Sequence, residues 1–250
     1  MLNWLGWLLG IVLVVICWQL ISNRTHWNFV QDAPTQVGNL LSRAFPPDWR
    51  YLPQLWRPLW DTLNIATLGT VMSVLVAVPV AFLAAHNTTP HPWIRQLMLL
   101  VIVGSRSVNS LIWAMLLVAM LGPGILAGVI AIGLRSIGFV GKLCYEAIEE
   151  INPETVEAIA ATGANPLQIL TYGIVPQVLP ACVGVTIFRW DINMREATVL
   201  GLVGAGGIGL QLNASIAVLR WSQVSVILTT IVLLVLISEW LSAQVRQAVT

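Results

Sequence analysis

Residues 145–176 read YEAIEEINPETVEAIAATGANPLQILTYGIVP, and the reading of this stretch decides the fold. Five of the chain's seven glutamates fall between Glu146 and Glu157. Asn152–Pro153 is a helix N-cap followed by a proline at the first helical position, and Asn165–Pro166 repeats the signal thirteen residues later. Gly163 stands where a helix begun at Pro153 needs a left-handed terminating residue. The stretch therefore predicts a short helix over 153–162, a sharp turn, and a second helix from Pro166. On the first helix Val156, Ile159 and Ala160 share a face, and Glu154, Glu157 and Ala161 lie on another. A short rod with one apolar and one acidic face is shaped to lie on its own protein and be gripped by a partner. A solvated loop with incidental helix is the alternative.

The surroundings of this polar island are apolar. Of 250 residues 57% are hydrophobic and 9% charged, with a formal net charge of +1, where a soluble domain carries about 25% charged residues. So few ions cannot cover a soluble globule, which excludes a cytosolic enzyme and a disordered protein. The small net charge offers no field for nucleic acid. Cys17, Cys144 and Cys182 lie in or beside apolar runs without metal-ligand or disulfide spacing. A membrane-crossing helix needs about 20 apolar residues, and six windows qualify: 4–21, 63–85, 97–121, 125–144, 178–203 and 224–241. Trp4, Trp27, Trp60, Trp93, Trp221 and Trp240 mark span ends, as an aromatic belt does. The first window lacks a preceding basic residue and a small-x-small cleavage site, so it reads as an uncleaved helix rather than a secretory signal. The expectation is an all-α integral membrane protein with six transmembrane helices. Between the first two spans, residues 22–58 hold Arg24, Arg43, Arg50 and Arg57 and a short interfacial helix over 37–45.

Ionisable groups inside spans are costly and usually functional. Arg106 lies roughly 15 Å into the third span and Arg189 roughly 18 Å into the fifth. At 100° per residue Arg189, Asn193 and Glu196 share one helix face, and Asp191, Arg195 and Thr198 share the opposite one. Asp191 and Arg195, four apart, are spaced to satisfy each other, which is the structural alternative to a pathway role for that face. Glu196 is two turns from Arg189, out of easy reach. Arg106, Asn109, Arg189 and Asn193 are the candidate substrate-path residues, with a buried ion pair or a carbonyl-capping role as the alternative for the two arginines. Five glycines in nine residues, 201–209, predict a helix break in which Gly204, Gly206, Gly207 and Gly209 form an outer gate or re-entrant turn. The lone lysine, Lys142, has neither the glycine nor the Ser/Thr of a P-loop around it, so the chain does not hydrolyse ATP. His26, His86 and His91 sit at or outside span ends, which leaves no catalytic or metal cluster.

Glu157-Ala158-Ile159-Ala160-Ala161-Thr162-Gly163, with Pro176 thirteen residues after the glycine, resembles the EAA loop of ABC importer permeases. That pattern is Glu-Ala-Ala, three residues, Gly, nine residues, Ile-x-Leu-Pro. This chain departs at Ile159, Gly173 and Val175. Residues 195–209, REATVLGLVGAGGIG, are similar to the signature of phosphonate and phosphite importer permeases, as are Ala161-Thr162-Gly163-Ala164 and Val175-Pro176-Gln177. Many relatives have Pro-Glu where this chain has Asn109-Ser110.

The resemblance implies a type I ABC importer permease with the MetI-like fold. It divides the chain into an N-terminal helix and outer loop (1–58) and a transmembrane domain (59–246) with its coupling loop at 145–176. Glu154, Glu157, Ala158, Ala161 and Gly163 become the residues that engage the ATPase. The implied partners are a second copy of the chain, two ATP-binding subunits that hold ATP and magnesium, a periplasmic substrate-binding protein and membrane lipid, with no cofactor on this chain and no nucleic acid. Arginine suits a phosphonate or phosphite because its planar fork donates two hydrogen bonds to one tetrahedral oxyanion. A permease for another small solute (phosphate, methionine or a metal complex) is the alternative, and an anion channel a more distant one. The location implied is a bacterial inner membrane with the coupling loop cytoplasmic and 22–58 periplasmic. Counting cations alone gives the inverse, four arginines outside against Arg95, Lys142 and Arg246 inside. The coupling loop takes precedence, because an ATPase must meet it where ATP is.

Overall fold

The computed structural model describes residues 2–249; Met1, the first residue of the predicted N-terminal segment, lies outside the described residues. Among the described residues there are eleven α-helices and no strand. The chain separates into two units, Met1–Pro46 and Pro47–Thr250.

In the first unit α1 (Leu2–Arg24) is apolar from Trp4 to Trp18 and ends in the polar Ser22-Asn23-Arg24, and α2 (Trp27–Ala44) is amphipathic. The short helix expected over 37–45 begins ten residues earlier and runs through Pro34. The reason lies in the periodicity: Trp27, Val30, Pro34, Val37, Leu41 and Ala44 recur at alternating spacings of three and four, so one apolar face continues across the proline.

The division falls after Pro46 rather than at 58, because the segment before the second span belongs to the bundle. A 3₁₀ turn, Trp49–Leu55, buries Leu55 against Ile208, Val226 and Ile227. Asp48 N–H donates to the Ser222 carbonyl at 3.2 Å, and Tyr51 Oη donates to Gln211 Oε1 at 3.0 Å.

The bundle is built on α3 (Trp56–Ala84), which pairs along its length with α6 (Ile125–Glu149). The buried stripe of α3 is nearly all small: Thr62, Ala66, Gly69, Thr70, Ser73, Ala77, Ala81 and Ala84. Without a hydrophobic drive between helices in lipid, such stripes let backbones approach and gain dispersion contacts. The third expected span is broken. α4 (Pro92–Ser107) and α5 (Ser110–Leu121) meet at 85°, and only when taken together do they bring the spans from five to six. The break has a local cause. Val108 and Asn109 are extended, and Asn109 accepts from Leu111 N–H at 3.1 Å, which N-caps a new helix. α4 lies close on α6 because position 138 is glycine: a Cβ there would meet the Ile102 carbonyl and the Arg106 stem.

After α6 come α7 (Pro153–Ala161), α8 (Pro166–Gln168), a π-helical stretch Ile169–Ile174, and α9 (Val175–Leu200). A glycine turn leads into α10 (Ile208–Ala217) and α11 (Trp221–Val249). Two sets of contacts define opposite ends of the bundle. At one end Asn87 donates to the Ile148 carbonyl at 2.6 Å beside α7. At the other Gly124 N–H donates to the Gly204 carbonyl at 3.0 Å, and Ile208 N–H to Thr62 Oγ1 at 2.9 Å.

Candidate coupling surface and substrate pathway

The acidic helix is formed as its caps dictate. Asn152 Oδ1 accepts from Glu154 N–H at 2.9 Å, Gly163 adopts φ +81°, and Asn165 with Gln168 completes a reciprocal capping box at 2.9 Å in each direction. Glu154, Glu157, Ala158, Ala161 and Gly163 are all exposed. The face turned inward carries Val156 and Ile159. Val156 packs on the cluster of Ile148, Ile174 and Val178, which joins α6 to α9.

Two departures from the EAA pattern meet in space. A Cβ at Gly173 would stand 3.4 Å from Ile159 Cδ1. Isoleucine at 159, where the pattern has alanine, is matched by glycine at 173, where it has isoleucine. The bulk has moved across the contact. A polar clamp supports the same joint: Asn152 N–H donates to Gln177 Oε1 at 3.1 Å, and Gln177 Nε2 donates to the Gly173 carbonyl at 2.6 Å. α7 is therefore fastened to the first turn of α9 by packing and by one hydrogen bond, from its N-cap Asn152 to Gln177, whose side chain is itself held by the Gly173 carbonyl. Glu149 anchors the neighbouring loop, accepting from His86 N–H at 2.8 Å and lying 3.5 Å from Arg95.

Within the bundle the structure joins residues that the sequence leaves apart. Asn193 Nδ2 donates to Thr70 Oγ1 at 2.8 Å and Ser136 Oγ to Asn193 Oδ1 at 3.2 Å, while Arg189 Nε donates to Ser136 Oγ at 2.8 Å. Arg189 is 2% exposed and lies over the Phe139 ring at 5.2 Å. Its partner is Glu196, at 3.4 Å, which the two-turn spacing places out of easy reach. A guanidinium on a long stem closes that distance, so the expected isolation of Arg189 is corrected. The expected Asp191–Arg195 pair is present at 2.5 Å, and Asp191 also accepts from Ser238 Oγ of α11 at 3.0 Å.

The residue missing from the sequence reading is Arg135 on α6. Its Nη1 lies 2.6 Å from Glu196 Oε1 and 3.5 Å from Ser110 Oγ. Its signal was present, an arginine inside an apolar window. Arg135, Glu196 and Asn109 border a cavity of about 460 Å³ between α5, α6 and α9. Of the expected path residues, Asn109 thus lines the cavity, whereas Arg189 and Asn193 lie buried behind Glu196. Arg106 is exposed at the end of α4, with no hydrogen bond or ion pair among the described residues.

The glycine run breaks α9 as expected. A 3₁₀ turn, Gly201–Val203, precedes Gly204, Gly206 and Gly207, whose φ values of +91°, +84° and +74° only glycine adopts without strain. Gly209 returns as the start of α10, where a Cβ would strike the Thr198 carbonyl. Gly206, Gly207 and Gly209 are buried and Gly204 is partly so. Among the described residues no three His, Cys, Asp or Glu side chains gather as metal ligands.

Comparison with known proteins matches residues 77–250 to the family of binding-protein-dependent transport system inner membrane components. The phosphite transport system permease protein PtxC of Stutzerimonas stutzeri is 40% identical over 240 residues, covering 95% of this chain and 86% of that one. The phosphate-import permease protein PhnE of Mycolicibacterium smegmatis is 37% identical over 216 residues, covering 86% of this chain and 41% of that one. Among solved structures, the inward-facing MetNI methionine ABC transporter superposes with a TM-score of 0.70 at 20% identity, covering 81% of this chain and 99% of that one.

Proposed function

We propose, from the premise that this chain belongs to the family of binding-protein-dependent transport system inner membrane components, that it is the permease subunit of an ATP-driven importer of phosphite- or phosphonate-type oxyanions. The observation that carries the substrate class is the 40% identity to a phosphite permease across 95% of the chain. ATP and magnesium belong to partner subunits that hydrolyse the nucleotide, and an outer binding protein delivers the anion. Each chain has one coupling loop, so two copies offer one to each of two ATP-binding subunits. The loop faces the cytoplasm and the segment before α3 faces the periplasm, which accords with their lying at opposite ends of the bundle.

The geometry supplies a route for force. ATP-driven closure of the partner subunits displaces α7 through Glu154 and Glu157. Because α7 is clamped to Gly173 and Gln177, the displacement passes into α9. α9 also carries Arg189, Asn193 and Glu196, so movement at the cytoplasmic end reaches the buried polar network. A second reading, phosphate import, is favoured by the relative from Mycolicibacterium smegmatis.

Both are tested with the importer reconstituted with its binding protein and ATP-binding subunits. Phosphite, methylphosphonate, phosphate and methionine are compared for stimulation of ATP hydrolysis. Stimulation by phosphite or methylphosphonate well above phosphate is the expected result. Preference for phosphate selects the second reading, and methionine alone removes both.

A further inference from the structure

The geometry points to an oxyanion site on this chain, in which Arg135 and the Asn109–Ser110 start of α5 take the tetrahedral anion and Glu196 holds the guanidinium when the anion is absent. The inference rests on the proposed importer function and deepens it. The cavity of about 460 Å³ has room for an anion of this size, and its polar lining is Asn109 and Ser110 of α5, Arg135 of α6, and Arg195 and Glu196 of α9. Arg135, 33% exposed at its side chain, turns Nη1 toward Ser110 Oγ, while Asn109 and Ser110 begin a helix of 12 residues. The N–H groups of Leu111, Ile112 and Trp113 are held by Asn109, so the donors that face the cavity are side chains: the forked guanidinium of Arg135, the Ser110 hydroxyl and the Asn109 amide, groups that a phosphite or phosphonate oxygen accepts from.

Charge balance argues the same way. Three arginines (Arg135, Arg189, Arg195) face two carboxylates (Asp191, Glu196) in this network. Asp191 is taken up by Arg195 and Ser238. Glu196 alone is left to serve both: Arg135 Nη1 lies 2.6 Å from its Oε1, and Arg189 Nη2 lies 3.4 Å from both of its oxygens. One cation in the network is therefore uncompensated until an anion arrives. Arg189, buried and stacked on Phe139, is the fixed member. Arg135, at the cavity wall, is free to pass from Glu196 to a substrate oxygen. A carboxylate that competes for the same fork keeps the site weak, and transport requires release.

The test places a reporter on the wall. Ile112 lines the cavity and is 51% exposed. In the reconstituted importer, Ile112→Cys is labelled with an anionic methanethiosulfonate reagent, and modification at that residue is followed by mass spectrometry while phosphite is titrated. Phosphite is expected to slow labelling, and Arg135→Gln to remove that protection while the complex still assembles. Glu196→Gln, which removes the competing charge, is expected to lower the half-protecting phosphite concentration about tenfold, the equivalent of one charge-assisted hydrogen bond. Unprotected labelling in an importer whose ATP hydrolysis phosphite still stimulates overturns the site and leaves the proposed function standing. No stimulation by any oxyanion overturns the function itself. Where Arg135→Gln fails to assemble, Glu196→Gln decides: an unchanged or raised half-protecting concentration refutes the site. Protection by phosphatidylglycerol alone, with none by phosphite, assigns the cavity to lipid and also refutes it.

Discussion

Arg189 shows what a single side chain does when it is ionised and buried. It is 2% exposed, yet each part of its fork has a use: Nε to Ser136, Nη2 to Glu196, and the plane over Phe139. Lysine keeps the charge but offers one mobile ammonium in place of a planar fork. Arg189→Lys is therefore expected to destabilise the purified permease by about 1–3 kcal/mol, since Ser136 and one oxygen of Glu196 lose their donors. A lowered thermal midpoint in detergent checks this. An unchanged midpoint would remove the anchoring role assigned to Arg189.

At the scale of the element, the coupling proposed for α7 turns on the contact between Ile159 and Gly173. The pairing of Ile159 with Gly173 predicts coupling between two substitutions that are each harmful alone. Ile159→Ala opens a gap beneath α7, and Gly173→Ile drives a side chain into Ile159 Cδ1, 3.4 Å from where its Cβ would stand. The double variant restores the alanine-and-isoleucine arrangement of the EAA pattern. Each single change is expected to lower substrate-stimulated ATP hydrolysis, and the pair to recover most of it, with an interaction of about 1–2 kcal/mol in stability. Additive losses would mean that the two residues do not share one joint. The break between α4 and α5 follows the same logic of local cause. Asn109 caps a new helix, and the bend it makes is what places the first turn of α5 beside Arg135.

For the whole molecule, orientation is the deciding property. The cations at the α7 end are largely engaged: Arg95 lies 3.5 Å and Lys142 3.4 Å from glutamates, and Arg246 lies over Phe188 at 5.8 Å. The arginines of 22–58 outnumber them, so cation counting and the coupling loop give opposite answers. The loop's answer makes a direct prediction. In sealed right-side-out membrane vesicles, Glu154→Cys is expected to resist a membrane-impermeant thiol reagent and Arg50→Cys to react with it. The reverse pattern would invert the protein and end the transporter reading.

The sequence alone determined the local parts of this protein, because each rests on chemistry within a few residues. Apolar windows long enough to cross a bilayer, the two Asn-Pro caps that start α7 and α8, the left-handed Gly163 and the breaking of α9 at the glycine run were all legible there. So was the Asp191–Arg195 pair, whose partners lie one turn apart. What only the tertiary structure decided spans elements. The Glu196 bridge between Arg135 and Arg189 joins α6 to α9, 61 residues apart in the chain. The exchange of bulk between Ile159 and Gly173 joins α7 to the π-helical stretch, and the 85° bend gives the cavity its wall. Helical periodicity fixes which face a residue occupies but not which helix will face it. In a bundle held by close-packed small residues, that choice comes from how the helices fit together.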